Sequence, residues 1–527
     1  DWSSDVCSSD LYSQYEYEQW RLGEGSKGWK VKYYKGLGTS TRDEAKDYFS
    51  KVNAVRFDYD EKADKSIDLA FNKQRADDRK EWLRGYDRTA LVPTGNRVPY
   101  DDFIHKDLIH FSYYNLERSI PNVMDGLKTS QRKILYAAFK RNLTAEIRVA
   151  QFAGYVSEHT GYHHGEASLN ETIVGMAQDF MGSNNIPWLV PQGQFGTRIQ
   201  GGKDAASPRY IHTYLQPRVR KLVPEEDFAV LKYRDDDGLP VEPEWYAPVL
   251  PMLLVNGARG IGTGYSTYIP PCNPAVVKKI IVDHLVNGTS LDAVKLTPYF
   301  AGFKGSYTEE GVVGVFRKEK DESVVTELPP GTWTADYREW LEKELAEGRI
   351  KDFTDTSTDQ QINIRIKGID DQALIKSLSE KVRTTNMHAF NAEGVITKYD
   401  TLNSILHEFV DVRSKLYETR RQHQIQVLKE KMPYHKNVVR FIRDQILDTP
   451  TVVLKKKTLK ECDEILKTNA YELVEGSYEY IMRLPVSAFT SEKVAKHEKD
   501  MAELLAEIAR LETTNASKMW LADLEHV

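Results

Sequence analysis

One short segment places a tyrosine beside a cation, close to a run of glycines. Residues 201–214 read GGKDAASPRYIHTY, and Tyr210 directly follows Arg209, downstream of a glycine-rich stretch over 192–202. A phenol can attack phosphorus, but its pKa near ~10 means that it needs a nearby cation, base or metal. Arg209 offers a forked donor for phosphate oxygens, and glycines let backbone N–H groups approach a phosphate closely. Arg-Tyr pairs are usually structural, so this pattern alone makes the two residues only candidates for catalysis.

A histidine pair lies upstream, in the sequence YHHGE at residues 162–166. His163 and His164 could bind a metal, but no cysteine or third histidine stands at a suitable spacing. A histidine that hydrogen-bonds a phosphate, or helps a tyrosine lose its proton, would suit the site of Tyr210. A helix-capping histidine is an equal alternative.

Three cations stand at the start of a helix predicted over residues 130–140. Lys128, Arg132 and Lys133 lie in or beside its first turns, and a helix N-terminus is a natural place to hold DNA phosphates. Residues 128–221 hold 12 Lys/Arg against 6 Asp/Glu, although the whole chain has a net charge of −6. A basic segment in an acidic chain indicates a phosphate-facing groove, with chance clustering on solvated faces as the alternative.

The elements that must position these residues can be predicted coarsely from periodicity and turn residues. We expect a strand ending in a tight turn over 29–38, a helix start near Thr41 and a helix over 77–84. Helical spacing over 100–141 is broken by Pro121 and Gly126, and residues 150–222 are expected to alternate helices with a glycine-rich loop and short strands. A short buried strand over 249–255 and a mixed α/β region over 272–395 are predicted to follow.

The C-terminal quarter carries two apolar seams with alternating three- and four-residue spacing, which is typical of coiled coils. The first seam is Leu402, Ile405, Phe409, Val412 and Leu416; the second is Val494, His497, Met501, Leu504, Ile508 and Leu511. About 70 residues separate them, so two antiparallel helices around a small helical head are predicted. For either seam, an amphipathic helix packed on a core is the alternative.

The length of 527 residues predicts three or four domains, and 28% charged with 40% hydrophobic residues is ordinary for a globular protein. No apolar run is long enough for a membrane span and no signal peptide is visible, so no membrane partner is expected. Cys7, Cys272 and Cys462 lie far apart, which fits a reducing compartment. Residues 1–11, DWSSDVCSSDL, resemble a translated sequencing adapter and are set aside.

Six motifs in order resemble the breakage-reunion region of the eukaryotic DNA topoisomerase II family: KYYKGLGTS, ERSIPNVMDGLKTSQRKILY, YHHGE, QGQFGTR, GGKDAASPRYIHT and EPEWYAPVLPMLLVNGARGIGTG. The resemblance runs over 12–527. It implies catalytic roles for Tyr210 as nucleophile and for Arg209, His164 and Arg118 at the reacting phosphate, and DNA contacts from Lys128 and Ile261. Further DNA contacts are expected from Arg132, Lys133, Lys203 and Lys35. Ile261 would be the apolar wedge that unstacks a base step. The glycines around it only half resemble a nucleotide-binding loop, since residues 265–271 do not readily start a helix.

The fold that this resemblance implies is mixed α/β with several domains. The expected divisions are a Toprim remnant at 12–57, a linker at 58–99, a winged-helix domain carrying the tyrosine at 100–225, an α/β tower domain at 226–398, and an antiparallel coiled-coil stalk with a helical C-terminal gate at 399–527. The resemblance further implies a homodimer that cleaves and reseals double-stranded DNA through a 5′-phosphotyrosyl link, ATP-driven strand passage, and a nuclear location.

Several parts of the family pattern are missing from the sequence. An EGDSA-like glutamate motif and a DxD motif, which would hold Mg²⁺, do not occur upstream of Tyr33, and residues 235–237 are not assigned a metal because they follow the tyrosine. The ATP-binding domain is also expected to lie outside this chain. The 527 residues alone are therefore expected to bind DNA but cleave it poorly. Alternatives are the tyrosine-bearing subunit of a split bacterial-type or viral enzyme, and a non-catalytic DNA-binding clamp.

Overall fold

A computed structural model describes residues 11, 14–23, 28–32, 38, 40–50, 54–92, 97–236, 239–308 and 310–527. The chain divides into two compact units. The first contains Asp1–Pro121 and Arg259–Thr267, and the second contains Asn122–Ala258 and Tyr268–Val527. The chain contains both helices and strands, so the mixed α/β prediction is confirmed.

The first unit is mainly helical. Its helices are α1 (Gln14–Leu22), α2 (Arg42–Ser50), α3 (Ala63–Phe71), α4 (Ala76–Arg84), α5 (Tyr100–Phe103) and α6 (Ile109–Ser119), and strands β1 (Arg56–Asp58) and β2 (Arg97–Pro99) pair in parallel. The predicted helix start near Thr41 is confirmed: the Thr41 N–H donates to the Glu44 carboxylate at 2.6 Å, and the Glu44 N–H donates to the Thr41 hydroxyl at 3.3 Å. This reciprocal pair is a capping box.

Residues 58–99 are not a linker, which corrects the expected division of the chain. Helices α3 and α4 lie within this range, and Ala63 and Leu83 are fully buried. The Arg79 guanidinium donates to the carbonyls of Leu69 and Asn72, at 3.0 and 2.6 Å, and so ties the two helices together. High charge density concealed this small core, because a few buried positions suffice for two short helices. Residues 33–37 of the strand predicted over 29–38 lie outside the described residues, and the part that is described is not a strand.

The tyrosine-bearing part of the second unit alternates helices and short strands, as predicted. Its elements are α7 (Thr129–Lys140), β3 (Ile147–Arg148), α8 (Val149–Thr160), α9 (Glu166–Ala177), β4 (Leu189–Gln192), β5 (His212–Leu215) and α10 (Pro217–Leu222). The strands form an antiparallel sheet in the order β3-β5-β4. Helix α7 begins one residue before the predicted start.

The buried strand predicted over 249–255 is wrong. Following β6 (Tyr233–Asp236) and β7 (Leu239–Pro243), the chain forms helix α11 (Met252–Asn256). Its burial was predicted correctly, because Leu253, Leu254 and Val255 are fully enclosed. A short apolar run does not distinguish a buried strand from a buried helix, and Pro251 stands at the helix N-cap. Strands β8 (Ala258–Ile261) and β9 (Ser266–Ile269) then pair, and α12 (Pro274–Asn287) follows.

The mixed region that follows contains two antiparallel sheets and a short hairpin. Its elements are β10 (Ser306–Tyr307), β11 (Gly311–Val313), β12 (Val315–Glu319), β13 (Glu322–Glu327), α13 (Thr334–Ala346), β14 (Asp352–Asp355), β15 (Ile364–Lys367), α14 (Asp371–Ser377), β16 (Ser379–Lys381), β17 (Met387–Phe390) and β18 (Ile396–Tyr399). The larger sheet has the order β12-β13-β15-β14, and its apolar side chains pack against α13 and α14.

The C-terminal part is dominated by one helix of 45 residues, α15 (Leu402–Ile446). It is followed by α16 (Leu459–Thr468), α17 (Glu479–Met482), α18 (Ser491–Thr513) and α19 (Ala516–Glu525). Contacts from Arg421 to Leu511 and from Arg443 to Glu498 show that α15 and α18 run antiparallel. The residues between them form the predicted small head, with its own apolar cluster.

The first seam does not join this pairing, which corrects the prediction. Leu402, Ile405 and Phe409 pack into the main core of the second unit, and Arg413 forms a buried ion pair with Asp227 at 2.8 Å. Only the later part of α15, from Arg421 to Arg443, meets α18. The first seam is therefore the amphipathic helix on a core that the spacing also allowed. In the described ranges, no helix is long and apolar enough to cross a membrane.

Candidate active site and nucleic-acid interface

Tyr210 stands at the end of a turn, two residues before the start of strand β5. Its side chain is 77% exposed, whereas its neighbour Ile211 is buried. Along the strand, Thr213 and Leu215 also point inward, because successive strand residues face opposite sides. Tyr210 itself precedes the strand, and the turn over 208–210 leaves its phenol exposed.

The backbone around Tyr210 is held by the start of helix α8. The N–H of Val149 donates to the Ile211 carbonyl at 3.0 Å, and the N–H of Ala150 donates to the Pro208 carbonyl at 3.1 Å. The Tyr210 N–H itself donates to the Ser207 carbonyl at 2.9 Å. The first N–H groups of a helix have no partner within the helix. Here two of them fix the peptide groups on both sides of the nucleophile candidate.

Two of the predicted arginines carry no ion pair in the described ranges. Arg209 is exposed beside Tyr210, and Arg118 is half-buried in the last turn of α6. Neither guanidinium lies within salt-bridge distance of a described carboxylate. Both remain available for an anionic ligand, Arg118 in the first unit and Arg209 in the second.

His164 lies in the turn between α8 and α9. Its ring meets the buried ring of Tyr162 edge-on, with centroids 5.4 Å apart. The imidazole lines a pocket of about 370 Å³ together with Ser157, Glu158 and Glu166. His163 differs from His164, because its Nε2 lies 3.3 Å from the Asp236 carboxylate. The two adjacent histidines therefore face different partners.

The glycine-rich loop over 192–202 is shaped by close backbone crossings. A Cβ on Gly196 would lie 2.5 Å from the Gly202 Cα, and a Cβ on Gly201 would lie 2.2 Å from the Trp333 Nε1. Both glycines have positive φ angles, +93° and +62°. The sequence suggested that these glycines allow phosphate approach, but in the structure they allow the loop to fold on itself and against Trp333.

The glycine-rich loop is also held by a buried ion pair that was not predicted from the sequence. Arg198 pairs with Glu327, and both side chains are almost fully enclosed. The Ala335 N–H also donates to the Ile199 carbonyl at 2.9 Å. The only sequence signal was an arginine in an otherwise uncharged loop, which does not indicate its partner. The segment after β13 thus positions the loop that precedes Tyr210.

Arg132 and Lys133 do not present free cations, which corrects the prediction that they contact phosphates. Arg132 is 3% exposed and holds the Asp125 carboxylate through two nitrogens at 2.7 and 3.0 Å. Lys133 lies 2.8 Å from the buried carboxylate of Glu242. Lys128 has no ion pair in the described ranges, and partial burial lowers the pKa of its ammonium. Of the three, only Lys128 fits a ligand-binding role.

Two further cations belong to the same part of the fold as Tyr210. Lys203 is exposed in the glycine-rich segment. Arg148 was not singled out from the sequence, yet it is exposed and pairs in register with His212, two residues after Tyr210. Its only sequence signal was membership of the basic segment. The predicted contact Lys35 lies outside the described residues.

Ile261 stands beside a tight turn between β8 and β9, in the first unit. Its side chain is 86% exposed. The turn is fixed to helix α6, because the Thr263 N–H donates to the Asn115 side chain at 3.0 Å. A Cβ on Gly260 would lie 2.0 Å from the Ser119 carbonyl oxygen, so this close contact with α6 requires glycine. The turn is followed by a strand, as expected for a protruding wedge and unlike a nucleotide-binding loop.

Among the described residues, one group of three metal-binding side chains lies close together, at His435, His497 and Asp500. Within the described residues, no group of three metal-binding side chains therefore lies beside Tyr210.

Comparison with known proteins identifies the family to which the chain belongs. Residues 118–525 match the family model for DNA gyrase/topoisomerase IV, which describes the A-type subunits of those enzymes. Residues 3–116 match the C-terminal associated domain of TOPRIM. The chain belongs to this family of DNA topoisomerases.

The individual relatives that match the chain are DNA topoisomerase 2 proteins. The chain is 38% identical to that of Arabidopsis thaliana and 39% identical to that of Saccharomyces cerevisiae, over 98% of its own length in each case. It covers 39% and 41% of those two proteins, so it spans about two fifths of the curated relatives. A crystal structure of the Plasmodium falciparum topoisomerase II DNA-binding, cleavage and re-ligation domain matches with a TM-score of 0.83 and 37% identity, covering 99% of this chain and 77% of that one.

Proposed function

We propose that Tyr210 is the nucleophile of a type IIA DNA topoisomerase core. One observation carries the proposal: an exposed phenol sits on a rigidly held turn beside Arg209, whose guanidinium pairs with no described carboxylate. A flexible tail could not hold a nucleophile in line with phosphorus, whereas a backbone fixed on both sides of the residue can. The names of the relatives, including one that specifies DNA binding, cleavage and re-ligation, agree with this chemistry.

The reaction exchanges one phosphodiester for another. The Tyr210 oxygen bonds to phosphorus and loses its proton, while the bond from phosphorus to the 3′-oxygen breaks and that oxygen takes up a proton. The product is a 5′-phosphotyrosyl link and a free 3′-hydroxyl, which can attack back and release the tyrosine. Because no phosphoester is hydrolysed, cutting and resealing need no separate energy source. Arg209, Arg118 and His164 would stabilise charge on the phosphate oxygens during transfer.

Binding would rest on cations spread over the chain. Lys128, Lys203 and Arg148 are proposed to contact the phosphates of duplex DNA, and Ile261 is proposed to enter a base step. We further propose the winged-helix assignment for the helices and three-stranded sheet around Tyr210, and the tower, stalk and C-terminal gate assignments for the parts that follow. A homodimer would cut both strands, one per protomer, in the nucleus.

The family chemistry also involves Mg²⁺ and ATP. ATP-dependent strand passage, and with it the change of DNA topology, is proposed for the protein as a whole on the basis of its relatives.

The test uses a duplex in which sulfur replaces the 3′-bridging oxygen at the scissile position. A thiol has a pKa near ~8.5, so its thiolate leaves far more easily than an alkoxide and demands less help from a metal. The 527-residue chain is incubated with this duplex, quenched with detergent, and resolved by electrophoresis. DNA affinity is measured in parallel at fixed salt.

The parent chain and a Tyr214→Phe control should form covalent adducts, and Tyr210→Phe should form none while retaining its affinity. An adduct from Tyr210→Phe would identify another nucleophile, with Tyr214 the first candidate. Tight binding without an adduct from the parent chain would favour the non-catalytic clamp.

A further inference from the structure

The antiparallel pair of helices in the C-terminal part contains a cluster with no role in the proposed chemistry. His435 lies on α15, and His497 and Asp500 lie on α18. The Nδ1 atoms of the two histidines are 3.0 Å apart, and the His435 Nδ1 lies 3.8 Å from an Asp500 carboxylate oxygen. All three donor atoms lie within 4.8 Å of one another. We propose that these three side chains form a site for Zn²⁺ or a similar transition-metal ion, which links the two helices.

The spacing of the donor atoms fits a single small ion. In a tetrahedral zinc site the metal–ligand distance is about 2.0–2.1 Å, so neighbouring ligand atoms lie about 3.3 Å apart. Two of the three separations in the cluster, 3.0 and 3.8 Å, lie on either side of this value, and the third is within 4.8 Å. Two imidazoles and one carboxylate leave the fourth position for water. Imidazole donors select zinc, cobalt, nickel or copper rather than magnesium or calcium, which prefer oxygen ligands.

The surroundings hold the ligands in place. The ring of Tyr434 meets His435 and His497 edge-on, with centroids 5.1 and 5.9 Å away. The His435 side chain is 18% exposed and that of Asp500 34% exposed, so the site is sheltered but open to an ion from solution. Burial, and secondarily His435, lower the pKa of His497.

An ion bound at these three side chains would strengthen α15 near a point where the helix is weak. Pro433 lies inside α15, two residues before His435. A proline there removes one backbone hydrogen bond from the helix and weakens it locally. A metal bond between His435 and α18 would cross-link the helices beside this weak point, between the main core and the small head.

A hydrogen bond between the two imidazoles is the metal-free alternative, and it accounts for the 3.0 Å contact only if one ring donates and the other accepts. That alternative gives Asp500 no necessary part. Removing Asp500 therefore separates the two cases, because a metal site loses a ligand while the hydrogen-bonded pair stays intact.

The experiment uses the full 527-residue chain, freed of metal with a chelator and alkylated at its accessible thiols, since thiolates also bind zinc. Zn²⁺ is titrated by calorimetry, and thermal unfolding is measured with and without it. Co²⁺ is then added as a spectroscopic substitute, because four-coordinate cobalt absorbs visible light strongly. Mg²⁺ at the same concentrations serves as the metal control.

We expect one equivalent of Zn²⁺ to bind and to raise the Tm, and Co²⁺ to give a four-coordinate spectrum, with no effect of Mg²⁺. Asp500→Asn and His497→Gln should each weaken Zn²⁺ binding at least about 10-fold. His423→Ala, which removes an exposed histidine from the same helix, should bind as the parent chain does. Failure of the parent to bind Zn²⁺, or equal affinity in Asp500→Asn and His423→Ala, would overturn the proposal. The metal-free Tm of Asp500→Asn shows whether that variant is folded.

Discussion

Arg198 and Glu327 form a buried ion pair across 129 positions of sequence, which connects the loop before Tyr210 to the end of strand β13. The Arg198 side chain is 7% exposed and that of Glu327 2%. The Lys304 N–H also donates to Glu327, at 3.4 Å. The carboxylate therefore supports two segments at once, and the loop is positioned by groups that are distant in sequence.

Removing one member of this pair should be costly. We expect Arg198→Met to lower the free energy of unfolding by about 3–5 kcal/mol, because it leaves a buried charge without a partner. Urea denaturation measures this change. The double variant Arg198→Met with Glu327→Met should recover much of the loss, and a double variant as unstable as the single one would contradict this account.

Arg209→Ala should leave the nucleophile in place but slow its reaction. We expect the rate of adduct formation on the sulfur-substituted duplex to fall by roughly 10²–10³-fold, by analogy with removing one oxyanion donor. DNA affinity should fall only slightly, since Arg209 is one cation among several. Single-turnover kinetics give the rate. A rate equal to that of the parent would exclude Arg209 from the reaction.

Lys203 and Lys133 should respond in opposite ways to truncation. Lys203 is exposed and has no ion pair with a described carboxylate, so Lys203→Ala should reduce the slope of log affinity against log salt by about 0.9 and change stability by less than about 0.5 kcal/mol. Lys133→Ala should leave the slope unchanged and cost about 3–5 kcal/mol, because Glu242 is 1% exposed and loses its ion partner. Binding titrations over a range of salt, with urea denaturation, test both variants. Equal salt slopes for the two variants would refute the distinction.

Ile261→Ala should reduce DNA bending more than DNA binding. The side chain is 86% exposed, so its loss does not disturb the core. Without the wedge, nothing offsets the few kcal/mol needed to unstack a base step. Energy transfer across an end-labelled duplex reports the bend. Val286→Ala, at another exposed apolar position, is the control, and equal bending by the two variants would show that Ile261 is not the wedge.

Local features were predicted well from the sequence. The start of α7 was placed within one residue, and the cap at Thr41 follows from a threonine with a glutamate three positions later. Burial of the run before Gly257 was also correct, although its helical conformation was not. These features depend on a few neighbouring residues, so a single sequence contains the information.

The errors arise where a distant partner decides the outcome. Lys133 looked like a free cation because Glu242 lies 109 positions away, and the first seam looked like a coiled coil because its real partners belong to the main core. Arg132 is instructive because Asp125 is only seven positions upstream, but on the other side of a tight turn. The exposure of Tyr210 followed from neither composition nor periodicity, since it depends on the turn before strand β5, which the start of helix α8 holds in place.

Helix α15 has a consequence for cooperativity. Its 45 residues span about 68 Å, and they belong first to the main core and then to the pair with α18. A continuous helix transmits rotation along its axis, so a displacement of the small head reaches the core as a lever movement rather than as separate local adjustments. The two ends should also exchange amide hydrogens at different rates, with the boundary between Tyr417 and Ile425, because each end opens together with the core that it joins.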